Sequence, residues 1–219
     1  MPYYIDAKKV ELEDLMFRIT ESDLVPSRRK LLEDIEVNLN KLKEYGIYTM
    51  ADLRKSIKNP KKIASLAEKT HIEIQYLTLL RREVESYFPK AYPLSVFDWL
   101  EKNQITKLER KGYKNTALLY EAFEIPSKRE EITALTGPEK AFAEEIFILV
   151  DLIRIQWVSP IFSKVLVEAG YNNAKSIAEA NAKELHEAVE KTNKKGRYFK
   201  GKIGIRDIAR LIKSASYLS

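Results

Sequence analysis

The chain has 219 residues, 45% apolar and 32% charged, with a formal net charge of +6, a balance that suits a globular protein with a sizeable core. Gly (7) and Pro (8) are scarce and helix formers dominate, which argues against an all-β or loop-rich chain. Cysteine is absent, which excludes disulfides, thiolate metal sites, iron–sulfur clusters and thiol nucleophiles, and fits a reducing compartment.

The first residues, MPYYIDAKKVELEDL, carry acids early and no apolar run, so they do not read as a secretory signal. The longest apolar stretch, IFILV at 146–150, is far too short to span a bilayer. A cytoplasmic protein with no membrane partner is expected. Residues 1–34 read as a helical extension, in which Ser27 is the expected cap of SRRKLLEDI. Thr49 is the expected cap of MADLRKSI. Asn59-Pro60 reads as a cap followed by proline at the first helical position. Thr116 is the expected cap of ALLYEAF, and Asn181 of AKELHEAVEKT. In the last helix Ile205, Ile208 and Ile212 fall on one face and Arg206, Arg210 and Lys213 on another. No segment reads as a strand.

The chain repeats itself. KLKEYGIYTMADL, KLERKGYKNTALL and VLVEAGYNNAKSI each read as a helix, a glycine, an apolar residue, a cap and a second helix. The glycines, Gly46, Gly112 and Gly170, are expected to take positive φ. After the first two phrases come two further helices, turning around Thr70-His71 and around Thr136-Gly137-Pro138. Trp99 and Trp157 stand at the same distance ahead of Gly112 and Gly170, so WLEKNQITKLERKG and WVSPIFSKVLVEAG are one unit. The expected architecture is all-α, with an extension over 1–34 and three degenerate repeats over 35–92, 93–153 and 154–219.

That unit resembles the helix-hairpin-helix motif. Trp157, Val158, Ser159 and Pro160 stand at its Gly-Val-Gly-Pro positions, and Leu166, Ala169 and Gly170 match its helix end. The whole chain resembles a bacterial family, Domain of Unknown Function 4332. The matching phrases are DLVPSRRKLLEDI, LTLLRREVESYFPK, DLIRIQWVSP and the Asn193-Lys194-Lys195-Gly196 to Gly201-Lys202 tail. The resemblance implies an all-helical tandem fold and no particular activity.

In DNA-binding hairpins of this type, two glycines bring bare N–H groups against a phosphate. Here the first glycine position holds Trp99, Trp157 or Glu33, and the second holds Glu101, Ser159 or Ile35. Glu101 would repel a phosphate, which leaves the 157–160 hairpin, with its small Ser159, as the candidate. Trp99 and Trp157 read as plugs in seams between units.

The last segment carries the stronger nucleic-acid signal. Residues 191–219 hold nine bases against one acid, Asp207, while the rest of the chain is nearly neutral. Lys194, Lys195, Arg197, Lys200 and Lys202 interleave with Tyr198 and Phe199, and Arg206, Arg210 and Lys213 follow. Such a patch neutralises phosphates without reading sequence, and its aromatics suit stacking on bases. It reads equally as a solvated loop with its rings packed inward. A P-loop spacing runs from Gly196 to Lys202, but Ile203 replaces the final Ser/Thr and no strand precedes it.

No catalytic residue, metal ligand or cofactor is expected. Glu68 and His71 form a lone Glu-x-x-His where a di-iron site needs two. His71 reads as a turn residue and His186 as an exposed helix residue. The adjacent acids Glu130-Glu131 and Glu144-Glu145 point apart on a helix. The expected function is non-enzymatic binding of a DNA or RNA backbone with little sequence specificity. The alternative is a helical module that binds a protein partner, through a patch such as Tyr87, Phe88 and Tyr92.

Overall fold

The computed structural model describes residues 2–137 and 141–218. It is all-helical, and among the described residues no strand forms, only two isolated bridges. Two compact units divide the chain: Ile5–Phe88, and Pro89–Ser219 with Met1–Tyr4.

The N-terminal unit contains α1 (Leu12–Thr20), a 3-10 turn (Pro26–Leu32), α2 (Ile35–Glu44), α3 (Met50–Ser56), α4 (Pro60–Thr70) and α5 (Ile74–Ser86). Its core gathers Leu12, Leu15, Leu42, Met50, Leu53, Leu77 and Leu80, all fully buried. The C-terminal unit contains a short 3-10 turn (Leu94–Val96), α6 (Lys102–Arg110), α7 (Thr116–Phe123), α8 (Pro126–Thr136), α9 (Ala141–Leu152), α10 (Pro160–Glu168), α11 (Ala174–Ala178), α12 (Ala182–Gly196) and α13 (Ile205–Ala215). Its core runs from Phe97 and Leu108 through Ile146 and Val150 to Leu166, Leu185 and Ile208.

The three glycine phrases close with the same hydrogen bonds. Gly46, Gly112 and Gly170 have φ of 82°, 99° and 95°, where a Cβ would crowd the following carbonyl. Each glycine N–H donates three residues back, to Lys43, Glu109 and Val167. The next N–H, of Ile47, Tyr113 or Tyr171, donates five back, to Leu42, Leu108 or Leu166. This pair satisfies carbonyls that a helix end leaves open. Three residues past each glycine, Thr49, Asn115 and Asn173 cap the next helix, their side-chain oxygens accepting from Asp52, Leu118 and Ser176 N–H.

Asn115 therefore replaces Thr116 as the cap of α7. Thr116 is the first helical residue and is buried, its hydroxyl 3.0 Å from Tyr3 Oη and accepting from Tyr92 N–H at 3.1 Å. Ser27 does not cap either. Pro26 starts a 3-10 turn behind Val25, and α2 begins only after Asp34 takes a left-handed φ of 51°. Asn59 and Asn181 cap as expected, and His71 turns the chain between α4 and α5 with φ 54°. Between α8 and α9, Gly137 ends the helix and Pro138 lies outside the described residues. On α13 the core face is Ile208, Leu211 and Ala215, while Ile205 is exposed at the helix start.

Beyond the caps, the N–H that opens each short helix is also held from outside it. Met50 N–H donates to the Val10 carbonyl and Thr116 N–H to the Tyr92 carbonyl. In the third turn Ala174 N–H donates instead to Asp151 Oδ2 at 2.7 Å. Asp151 lies 3.5 Å from Arg154, which is buried, and whose guanidinium sits 4.0 Å above the Tyr120 ring. Burial pushes the Asp151 carboxyl above its usual range, against the pull of the Ala174 N–H and the Arg154 cation.

Candidate nucleic-acid interface

The 153–160 turn rests on a buried footing. Ile153, Ile155 and Val158 face the core, and the Gln156 side-chain oxygen accepts from Ser214 Oγ of α13 at 2.9 Å. Trp157, between them, has φ 69° and is 53% exposed. It therefore holds a left-handed backbone of the kind glycine favours, and its indole stands in solvent. The seam-plug reading of Trp157 is overturned, because a positive φ between two buried neighbours turns the side chain outward. Trp99 does pack. It is half-buried against the core, edge-on to Phe97 at 5.5 Å and 5.1 Å from the Lys164 ammonium.

Ser159 caps α10, its Oγ accepting from Phe162 N–H at 3.2 Å. Pro160 has no N–H, and Ser163 N–H already donates to the Ser159 carbonyl. The first turn of α10 thus keeps one N–H, that of Ile161, for an outside acceptor. A glycine hairpin that brings several amides to one phosphate offers more.

Beyond α10 comes the basic segment. The two elements pack together: Phe162 meets Phe199 edge-to-face at 6.3 Å, and the Lys164 ammonium lies 5.3 Å from the Tyr198 ring. Lys194 and Lys195 ride the last turn of α12, where cations oppose the negative helix end. Arg197 ends that helix with φ 51°. Lys200 and Lys202 lie on the connection to α13. These five side chains and Lys191 are exposed, and no carboxylate among the described residues pairs with them.

Tyr198 and Phe199 do not stand among the bases. Both are half-buried against the core. The Tyr198 hydroxyl donates to the Glu168 carboxylate at 2.6 Å, which raises its pKa. Asn193 holds the Phe199 backbone through N–H and C=O, at 3.1 Å each. A Cβ at Gly196 would collide with the Tyr198 ring, so this glycine serves packing rather than a phosphate loop. On α13, Arg206 is exposed, but Arg210 pairs with Asp207 at 2.8 Å and Lys213 lies 6.0 Å from the Tyr217 ring. The three do not form one uniform stripe.

His186 is half-buried, with Nε2 2.9 Å from the Ile203 carbonyl, instead of exposed. Tyr87 is buried and Arg54 covers the Phe88 ring at 3.6 Å, so neither is part of an open apolar patch. Sequence reasoning missed Asp151 and Arg154, whose spacing resembles an ordinary surface pair; the only signal was their place inside the apolar run IFILVDLIRI.

The family model for Domain of unknown function (DUF4332) matches residues 100–218. That span takes in DLIRIQWVSP and the basic tail, while the phrases at 23–35 and 77–90 lie ahead of it. No curated protein and no solved structure matches the chain. On a match over more than half of its residues, the chain belongs to the family Domain of unknown function (DUF4332).

Proposed function

We propose that the chain binds the phosphate backbone of DNA or RNA, with little sequence specificity, through the basic segment of its C-terminal unit. One observation carries this reading: Lys191, Lys194, Lys195, Arg197, Lys200 and Lys202 are exposed within twelve residues and no carboxylate among the described residues neutralises them. Such side chains contact phosphates and release counterions, and they carry no base readout. The likeness of the 157–160 sequence to a helix-hairpin-helix turn supports the same ligand. Its contribution is small, since Ile161 supplies the one open amide of that turn.

Labelled single- and double-stranded DNA and RNA, titrated at low and physiological salt, test the proposal. Neutralising four to six phosphates predicts a loss of roughly 10²–10³-fold in affinity between 50 and 200 mM salt. In the Lys194/Lys195/Arg197/Lys200→Ala variant the logarithmic salt slope is expected to fall by about 3–4. No binding at low salt by a folded chain would sink the reading.

A second reading, a helical module for a protein partner, is favoured by the exposed pair Trp157 and Ile161, 53% and 39% accessible. A Trp157→Ala variant separates the two, because it leaves the phosphate contacts intact.

A further inference from the structure

The N-terminal unit has a basic surface of its own. Between Asp52 and Glu68 the chain carries Arg54, Lys55, Lys58, Lys61 and Lys62 and no acid. The structure folds part of this run around a groove of about 370 Å³, bounded by the Gly46 turn, the end of α3 and one face of α4. Lys62, Ser65 and Lys69 fall three and four residues apart on α4, so they share that face. Lys55 and Ser56 close the groove from α3.

Two of the cations have close contacts, neither of them with a carboxylate. The Lys62 ammonium donates to the Lys55 carbonyl at 2.9 Å. The Lys69 ammonium lies 5.3 Å from the Tyr45 ring centroid. No carboxylate among the described residues forms an ion pair with Lys55, Lys62 or Lys69, and neither the Ser56 nor the Ser65 hydroxyl has a partner there. The one acid in the lining, Asp52, is held chiefly by its own turn, where Oδ2 accepts from Thr49 N–H at 3.1 Å and Thr49 Oγ1 at 2.8 Å, with Lys55 a weaker, longer-range partner. Three ammonium groups against one carboxylate leave an electropositive concavity with two hydroxyl donors. The three lysines are exposed, so solvent screens part of their mutual repulsion, and an anion bound among them relieves it further.

We propose that this groove binds a phosphoryl group, with Lys55, Lys62 and Lys69 as its charge partners and Ser56 and Ser65 as its hydroxyl donors. The group belongs either to a small phosphate compound or to a nucleic-acid backbone. The site belongs to the N-terminal unit, and the proposal does not depend on the function proposed for the C-terminal basic segment.

The test is a titration of the full chain with inorganic pyrophosphate, read by backbone amide shifts against a chloride control of equal ionic strength. Saturable shifts are expected at residues 45–47, 55–56 and 62–69. Each lost charge-assisted hydrogen bond is expected to weaken binding by about tenfold, so Lys62→Gln and Lys69→Gln reduce affinity by that factor each. Ser65→Glu, which keeps every lysine and places a carboxylate in the groove, is expected to abolish it. Thermal melts check that these exposed substitutions leave the fold intact. The Lys194/Lys195/Arg197/Lys200→Ala variant is expected to bind pyrophosphate in the groove unchanged. A short single-stranded oligonucleotide, added second, separates the sources. Displacement of pyrophosphate assigns the groove to a nucleic-acid backbone, and persistence of the pyrophosphate shifts assigns it to a small phosphate compound. Shifts no larger than the chloride control, or shifts confined to 191–206, overturn the proposal.

Discussion

Two tryptophans in the same register carry opposite loads. Trp99 is half-buried against Phe97 and the core, whereas Trp157 holds a left-handed backbone and projects into solvent. A side chain at φ 69° costs about 1–2 kcal/mol that glycine does not. Trp157→Gly recovers that strain and gives back part of it in unfolded-chain entropy and lost contact. Its stability is expected to stay within about 1 kcal/mol of the parent, while Trp99→Ala is expected to lose about 2–3 kcal/mol, toward the range for buried aromatics. Denaturant midpoints of the two variants check this. Equal losses would mean that Trp157 packs after all.

Asp151 titrates in the opposite sense to an ordinary paired carboxylate. Burial dominates its environment and lifts its pKa above the unfolded value, with the Ala174 N–H and Arg154 pulling the other way. The folded state therefore holds that proton more tightly than the unfolded state. Stability through this group rises as pH falls through the folded pKa toward the unfolded value near about 4. Compared with Asp151→Asn, the parent chain is expected to gain relative stability as the solution is acidified from neutrality, and the difference is expected to be flat above the folded pKa. Chemical denaturation of both chains across that range reads the difference directly, because every other carboxylate is common to the two.

At the scale of the element, the glycine turn is the unit the sequence specifies best. Nothing lies within 4 Å of a Cβ built on Gly112, so Gly112→Ala meets no steric wall, and its cost is backbone strain alone, about 1–2 kcal/mol. Gly112→Asn is expected to cost less, since asparagine tolerates the left-handed region. Thermal melts of the pair separate strain from packing. All three turns were readable because positive φ at a helix end favours glycine, and that preference leaves a letter in the sequence, although His71 and Arg197 take the same region without it. The cap three residues later is readable by register: the register set at Gly112 points to Asn115, itself a stronger capping residue than Thr116 beside it. Trp157 was not readable, because local letters report preference, and here the buried neighbours Gln156 and Val158 override it. The basic stretch that carries Lys55, Lys62 and Lys69 is legible in the sequence, but the groove is not, because its lining also takes in Tyr45, Gly46 and Ile47 from the turn ahead of α3.

At the scale of the molecule, each unit has its own core and its own buried charge, and the two can be watched separately. Arg28 donates to Glu83 at 2.6 Å in the N-terminal unit, where the Glu83 side chain is 3% exposed. Both tryptophans, Trp99 and Trp157, lie in the C-terminal unit. Tryptophan fluorescence therefore reports one unit, and far-ultraviolet dichroism reports both. Arg28→Met leaves Glu83 as a buried charge without its partner. Removing one member of a buried pair costs about 3–5 kcal/mol, reduced to about 2–3 here because Arg28 is partly solvated. In a unit of this size each kcal/mol lowers the midpoint by about 4–8 °C. The dichroism melt of Arg28→Met is expected to acquire an early step roughly 10 °C or more below the parent transition, while the fluorescence melt stays where it was. If the fluorescence midpoint falls by the same amount, the chain unfolds as one cooperative body, and Ile5–Phe88 and Pro89–Ser219 are units of packing without being units of stability.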